Sequence, residues 1–178
     1  MNPPRIAQQE DEKYMRLALS QAVRAMEDNE VPAGCVIVSR DPAEVSVPPR
    51  IVGRAHNQVE RLRDPTAHAE MIAITQAASA TGDWRLTTCT LYVTKEPCAM
   101  CAGAIVLARI PRVVFGATDP RRGGAVSVFN ILQHPGLVHR CDVTAGVLEA
   151  DCSAILKDFF RRRREEGGAG PGGSGEEA

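Results

Sequence analysis

Aromatic side chains are scarce in this chain, with one tryptophan, two tyrosines and four phenylalanines among 178 residues. A core built on rings is thereby excluded, and Val, Ile, Leu and Ala must supply most of the buried surface. Also missing is any apolar run near the roughly 20 residues that cross a bilayer. The first residues lack the basic-then-apolar pattern of a secretory leader, so the expectation is a cytoplasmic protein with no membrane partner. Nor does one sign of charge dominate, since the net charge is −1. What is there is 44% hydrophobic and 24% charged residues, an ordinary globular composition that excludes a fibre or a disordered chain.

The balanced charge hides a division along the chain. Both ends are acidic, whereas residues 30–164 are net basic, with local concentrations at Arg121-Arg122 and at Arg161 to Arg164. On charge alone each cluster reads as a solvated face. Six cysteines would suggest a disulfide framework in a short secreted protein, but this chain has no other mark of one. Only Cys98 and Cys101 stand at ligand spacing. Cys35, Cys89, Cys141 and Cys152 lie in apolar surroundings and are expected to be small buried hydrophobes.

The length fits one domain with tails. Residues 1–10, with Pro3-Pro4, read as a flexible arm, and the Gly- and Glu-rich residues 165–178 as a disordered tail. Between them, apolar steps of three and four from Asp11 to about Asn29 predict an amphipathic helix. Cys35–Val38 and Arg50–Gly53 predict strands, separated by a proline-rich excursion from Asp41 to Pro49. Asp64-Pro65-Thr66 has cap and first-turn chemistry for a helix from about Ala67 to Ala80 that ends near Gly82. Thr90–Val93 and Val113–Phe115 predict strands joined by a helix beginning at Glu96-Pro97. Cys141–Thr144 predicts a last short strand, and Glu149–Arg164 a terminal helix. This alternation implies an α/β fold whose sheet is covered on both faces, with the Thr90 and Val113 strands parallel.

The chemistry concentrates in two short motifs. Cys98 and Cys101, three apart at a helix start, share a face and can both reach one metal, and the positive helix end there favours thiolates. His68, about thirty residues upstream, is a third ligand of the right kind for zinc. Neither motif supplies a fourth ligand, and an open position separates a catalytic zinc from a structural one. Glu70 is then placed to move the protons of a water bound there. In mid-helix, residues two apart point about 200° apart, so His68 and Glu70 can serve one site only at the very start of their helix. The competing reading, a structural Cys₃His zinc using Cys35 or Cys89, leaves Glu70 without a purpose.

His68-Ala69-Glu70 with Pro97-Cys98-Ala99-Met100-Cys101 resembles the signature of the zinc-dependent nucleobase and nucleoside deaminases. Asp64 to Glu70, Leu91 to Cys98, Cys101 to Ala104, Val113 to Ala117 and His134-Pro135-Gly136 are similar, more narrowly, to the bacterial tRNA-specific adenosine deaminases, over about Asp11 to Arg164. The resemblance makes residues 11–164 a deaminase domain with a three-layer α/β/α cytidine-deaminase-like fold and a mixed central sheet. It implies one Zn²⁺ per subunit held by His68, Cys98 and Cys101, and a homodimer acting on a tRNA anticodon stem-loop. The implied reaction is hydrolytic conversion of the wobble adenosine to inosine, with zinc-bound hydroxide attacking C6 and Glu70 shuttling protons. By match, Asn57 would contact the target base, Asp119 an RNA ribose, and Phe160 and Arg163 neighbouring bases; Phe159 reads better as core. Val138 stands where the family usually has asparagine, and the Asp41–Pro49 excursion is longer than the usual turn. Two rival readings share the zinc: a deaminase of a free base or nucleotide such as cytosine or guanine, and a catalytically silent RNA-binding partner.

Overall fold

The computed structural model describes residues 5–167 apart from 41, 42 and 44–46. The elements run α1 (Arg5–Glu27), β1 (Gly34–Ser39), β2 (Arg50–His56), α2 (Val59–Leu62), α3 (Ala69–Thr81), β3 (Cys89–Lys95), α4 (Ala99–Leu107), β4 (Arg112–Ala117), β5 (Asp142–Thr144) and α5 (Glu149–Gly167). The five strands form one sheet in the order β2-β1-β3-β4-β5. β1 is antiparallel to both β2 and β3, whereas β3, β4 and β5 are mutually parallel neighbours. The expected mixed sheet and the parallel pair linked through α4 are both present.

Strand alternation sorts the side chains into two cores. Leu91 and Val93 of β3 and Val113 and Phe115 of β4 face the layer of α3 and α4, packing with Ala73, Ala77 and Ile105. Tyr92 and Val114 face the other way, against Met15 and Ala18 of α1 and Cys152 of α5. Small residues set the spacing. Ala69, Ala73 and Ala77 form the buried stripe of α3, one helical repeat apart, and a Cβ on Gly53 would meet the Ala73 carbonyl oxygen at 2.5 Å. On the opposite face a Cβ on Gly34 would stand 2.0 Å from the Ala18 carbonyl oxygen. Aliphatic and alanine packing thus replaces the missing rings. Cys35, Cys89, Cys141 and Cys152 are all buried and unpaired, as expected.

Several boundaries move. Residues 5–10, read as part of an arm, are the first turns of α1, where Glu10 pairs with Arg40 at 2.7 Å. Residues 165–167, read as tail, continue α5, in which Arg161 pairs with Glu165. The remainder of both tails and most of the Asp41–Pro49 excursion lie outside the described residues. Asp64 and Thr66 do not cap α3. Asp64 instead closes a local turn, accepting bonds from the Thr66 N–H at 2.8 Å and hydroxyl at 2.7 Å. The helix begins after His68.

One polar cluster ties four elements together on the α1 face. Asp11 is buried and receives both Arg112 nitrogens at 2.7 Å and the Tyr92 hydroxyl at 3.1 Å. Arg112 also reaches Thr144 of β5 at 3.2 Å. Asp11→Ala leaves the guanidinium and hydroxyl without their acceptor. With Arg112 one-third exposed, the expected loss is about 2–3 kcal/mol, against less than about 0.5 kcal/mol for the exposed Glu12–Arg16 pair removed by Arg16→Ala. Urea unfolding of the two variants checks the contrast.

Candidate active site and metal centre

Strand register gathers the site. With Cys35 opposite Val93 in an antiparallel pair, the start of β1 lies at the end of β3. With His56 opposite Gly34, the end of β2 lies there too. β4 ends beside β3, Lys95 opposite Ala117. Segments 28–33, 57–68, 96–98 and 118–127 therefore emerge at one end of the sheet, the carboxyl ends of its parallel strands, where α/β folds place ligands.

Two helix starts meet at that end. His68 is the N-cap of α3 and Cys98 the N-cap of α4, both with extended backbone, and neither side chain caps its own helix. His68 Nδ1 lies 3.6 Å from Cys98 Sγ and 3.4 Å from Cys101 Sγ. The three ligand atoms lie within 4.8 Å of one another. A tetrahedral zinc with bonds of about 2.3 Å to sulfur and about 2.0–2.1 Å to nitrogen would separate such donors by roughly 3.6 Å, so the cluster fits the ion. The donor chemistry fits as well. The hydrogen bond from Cys101 lowers the Cys98 thiol to about 3, and the same bond with burial raises Cys101. One thiolate thus forms readily, and a cation would relieve the second. Cys101 is buried while His68 and Cys98 are half-buried, so the cluster reaches the surface through the latter two.

Glu70 stands in the first turn of α3, two residues past the cap, and is buried. Burial raises its pKa, and the neighbouring His68 and Cys98 are among the groups that act on its charge. The geometric condition on His68 and Glu70 is met because the histidine lies off the helix end and the glutamate on its first turn.

The remaining matched residues divide. Asn57 follows β2 and is buried; its neighbour Gln58 donates its N–H to the Ala67 carbonyl at 3.0 Å, which holds it beside the His68 segment. Its Nδ2 donates to Glu30 Oε2 at 3.1 Å. Asp119 follows β4, pairs with Lys95 at 2.7 Å and accepts the N–H groups of Arg121 and Arg122. Burial alone would raise its pKa, but Lys95 and the two N–H groups outweigh it and hold the carboxyl below its usual range. Phe160 and Arg163 lie on α5, which packs with α1 on the face opposite α3 and α4. Phe160 is exposed and meets buried Phe159 edge to face, with Arg163 over the Phe159 ring. Arg161 and Arg162 both pair with Asp158, so half of that basic run is engaged on its own helix. His139 binds the Ile110 carbonyl and His134 the Gly136 N–H, both structural bonds.

Sequence reasoning missed two buried carboxylates here. Glu96, between β3 and Cys98, accepts the N–H groups of Asp119, Ala125, Val126 and Ser127 and the Ser127 hydroxyl. It thereby fastens the whole 119–127 segment to the strand that delivers Cys98. Glu30, just before β1, binds Asn57 and the Arg61 N–H. The only sequence signal for either was an acidic residue beside an apolar run.

A His-Cys-Cys zinc cradle with a buried glutamate at its side, at the carboxyl ends of parallel strands, defines a hydrolytic zinc deaminase. The cytidine and deoxycytidylate deaminase zinc-binding region matches residues 8–117. The tRNA-specific adenosine deaminase of Bacillus subtilis (strain 168) is 45% identical over 157 residues, 88% of this chain and 92% of that protein. That of Aquifex aeolicus (strain VF5) is 46% identical over 153 residues, 86% and 95% of the two. A solved structure from work on A-to-I editing by tRNA:A34 deaminases at the wobble position superposes with a TM-score of 0.73 at 41% identity, covering 81% of this chain and 99% of that one. The chain belongs to the zinc-binding cytidine and deoxycytidylate deaminase family and, within it, to the tRNA-specific adenosine deaminases.

The purified protein should carry about one zinc per chain, by elemental analysis. Cys98→Ser or Cys101→Ser should lose most of it, whereas Cys152→Ser should keep it. Acid should release the 119–127 segment. Because the folded Asp119 pKa is depressed, its stabilisation is complete above the unfolded value of about 3.9 and is lost as pH falls below it. The Tm difference between the parent and Lys95→Ala should be full near about pH 6 and narrow progressively as the pH falls below about 3.9.

Proposed function

We propose that this chain converts the wobble adenosine of a tRNA anticodon loop to inosine by hydrolytic deamination. The observation that carries the reading is Glu70, buried in the first turn of α3 beside the His68–Cys98–Cys101 cluster, in a chain 45% identical to a tRNA-specific adenosine deaminase. His68, Cys98 and Cys101 hold the zinc. When bound, zinc supplies a Lewis acid that makes water a nucleophile near neutral pH. Glu70 takes the proton of the attacking water and delivers it to adenine N1, then carries a second proton to the departing amine. In a loop the base is already unpaired, so turning it into the site costs less than extrusion from a duplex. Asn57 orients the base; Asp119, Phe160 and Arg163 meet the flanking nucleotides. Exposed Arg121 and Arg122, next to Asp119 at the mouth of the site, supply attraction for the phosphates.

A homodimer belongs to the same reading, supported by the exposed apolar side chains of Leu107, Val126, Phe129 and Val138. So does a cytoplasmic location; among the described residues no helix is long and apolar enough to cross a membrane. Incubation of the zinc-loaded protein with an anticodon stem-loop should add about one dalton at the wobble adenosine. Glu70→Ala should abolish that gain while retaining zinc. Deamination of free cytosine or guanine with the stem-loop untouched would sink the proposal, as would full turnover by Glu70→Ala.

A further inference from the structure

We infer that Glu30 is a positioning residue: its buried carboxylate fixes which way the Asn57 amide faces, and so which edge of that amide meets the target base. The inference rests on the reading of Asn57 as a base contact.

Glu30 is buried, 1% exposed, in the connection between α1 and β1, four residues before Gly34. Nothing in the zinc chemistry uses it. Its two oxygens are divided between two tasks. Oε1 accepts the backbone N–H of Arg61 at 2.8 Å, and Oε2 accepts Nδ2 of Asn57 at 3.1 Å. The first bond anchors α2; the second reaches across from the start of β1 to the end of β2. Asn57 itself is held by its backbone N–H on the Ala33 carbonyl at 3.0 Å. With its main chain fixed there, the rotation of its amide is the remaining freedom.

An asparagine amide has an acceptor branch and a donor branch of nearly equal shape. Facing a carboxylate oxygen, the acceptor branch would bring two lone pairs together with no hydrogen between them. Only the donor branch fits, so the orientation is dictated by Glu30. Oδ1 and the second Nδ2 hydrogen are then presented in one defined arrangement, already set before substrate arrives. A site built to hydrogen-bond its substrate discriminates strongly because a misplaced polar group is left unpaired on binding.

Glu30→Gln isolates this effect. The glutamine oxygen can keep the Arg61 N–H, so the fold retains its acceptor, but the glutamine nitrogen now faces Asn57 and favours the inverted amide. The experiment is a two-by-two comparison of the parent, Glu30→Gln, Asn57→Ala and the double variant. Steady-state inosine formation on the wobble-adenosine stem-loop is measured, with thermal melting as the check on folding. Glu30→Gln should raise KM about tenfold, the size of one neutral hydrogen bond, with kcat changed less. In the Asn57→Ala background Glu30→Gln should have no further effect on KM, because the group it positions is gone. Glu30→Asp, one methylene shorter, is the second variant and should give the same rise and the same loss of effect. An unchanged KM in folded Glu30→Gln and Glu30→Asp would overturn the inference. So would an equal rise with and without Asn57, which would make Glu30 a support of α2 alone. If Asn57→Ala leaves KM unchanged, the base contact and the inference fall together while the deaminase reading stands. A parent that makes no inosine overturns the deaminase reading itself.

Discussion

The meeting of two helix N-termini at one end of the sheet is the constraint on which the site depends. α3 and α4 pack side by side on one face, and each begins with a residue whose side chain projects off the helix end, His68 in one and Cys98 in the other. The positive ends of both helices then lie beside the thiols, favouring the ionised sulfur that metal binding requires. Cys101, one turn into α4, completes the cluster from the buried side. Three ligands from two helices thus need only two backbone placements. Those placements are fixed by the sheet, because β2 delivers the chain towards α3 and β3 delivers it into α4.

Helix placement alone leaves the connecting segments unpaired, and these carry the residues that would surround a substrate. Buried loop N–H groups must find acceptors, and apart from the isolated Cys98–Gly123 bridge no strand ladder is present in these segments among the described residues. Two buried carboxylates serve. Glu96 gathers four backbone N–H groups and a hydroxyl from the 119–127 segment, and its pKa ends below the usual carboxylate range although burial opposes this. Glu30 does the same on a smaller scale, taking one backbone and one side-chain donor. A charged acceptor makes stronger bonds than a carbonyl, which suits segments that must stay ordered without the cooperativity of a sheet.

The layers and the metal cluster were legible in the sequence because both have local signals. Alternation in Thr90–Val93 and helical spacing of Met15, Ala18 and Ala22 follow from which face each residue buries, and ligand spacing in Cys98–Cys101 follows from one helical turn. The first turns of α1 were not legible, since residues 5–10 contain mostly polar side chains and their support comes from Arg40, thirty residues away. The start of α3 was misplaced because Asp64 spends its capping chemistry on Thr66, a competition that spacing cannot resolve. Glu30 and Glu96 went unread for a related reason: their partners are mainly backbone N–H groups far along the chain, and a backbone N–H has no residue type to mark it.

That invisibility has a physical consequence for how such a site is tuned. On the proposed reading, the zinc ligands and Glu70 allow little substitution, because metal geometry and proton transfer tolerate neither a different donor nor a shifted one. The segments at the end of the sheet are held by a few strong acceptors instead of by continuous packing, so one carboxylate governs several backbone positions together. Glu96 holds a nine-residue stretch carrying Asp119, Arg121 and Arg122, and that stretch in turn pairs with the backbone at Pro97 and Cys98 through Gly123 and Gly124. A change at Glu30 acts on a single amide and on the short helix beside it. The fold thus fixes the His68–Cys98–Cys101 cluster by helix ends and the segments around it by buried carboxylates, and the two supports join at the Cys98–Gly123 bridge.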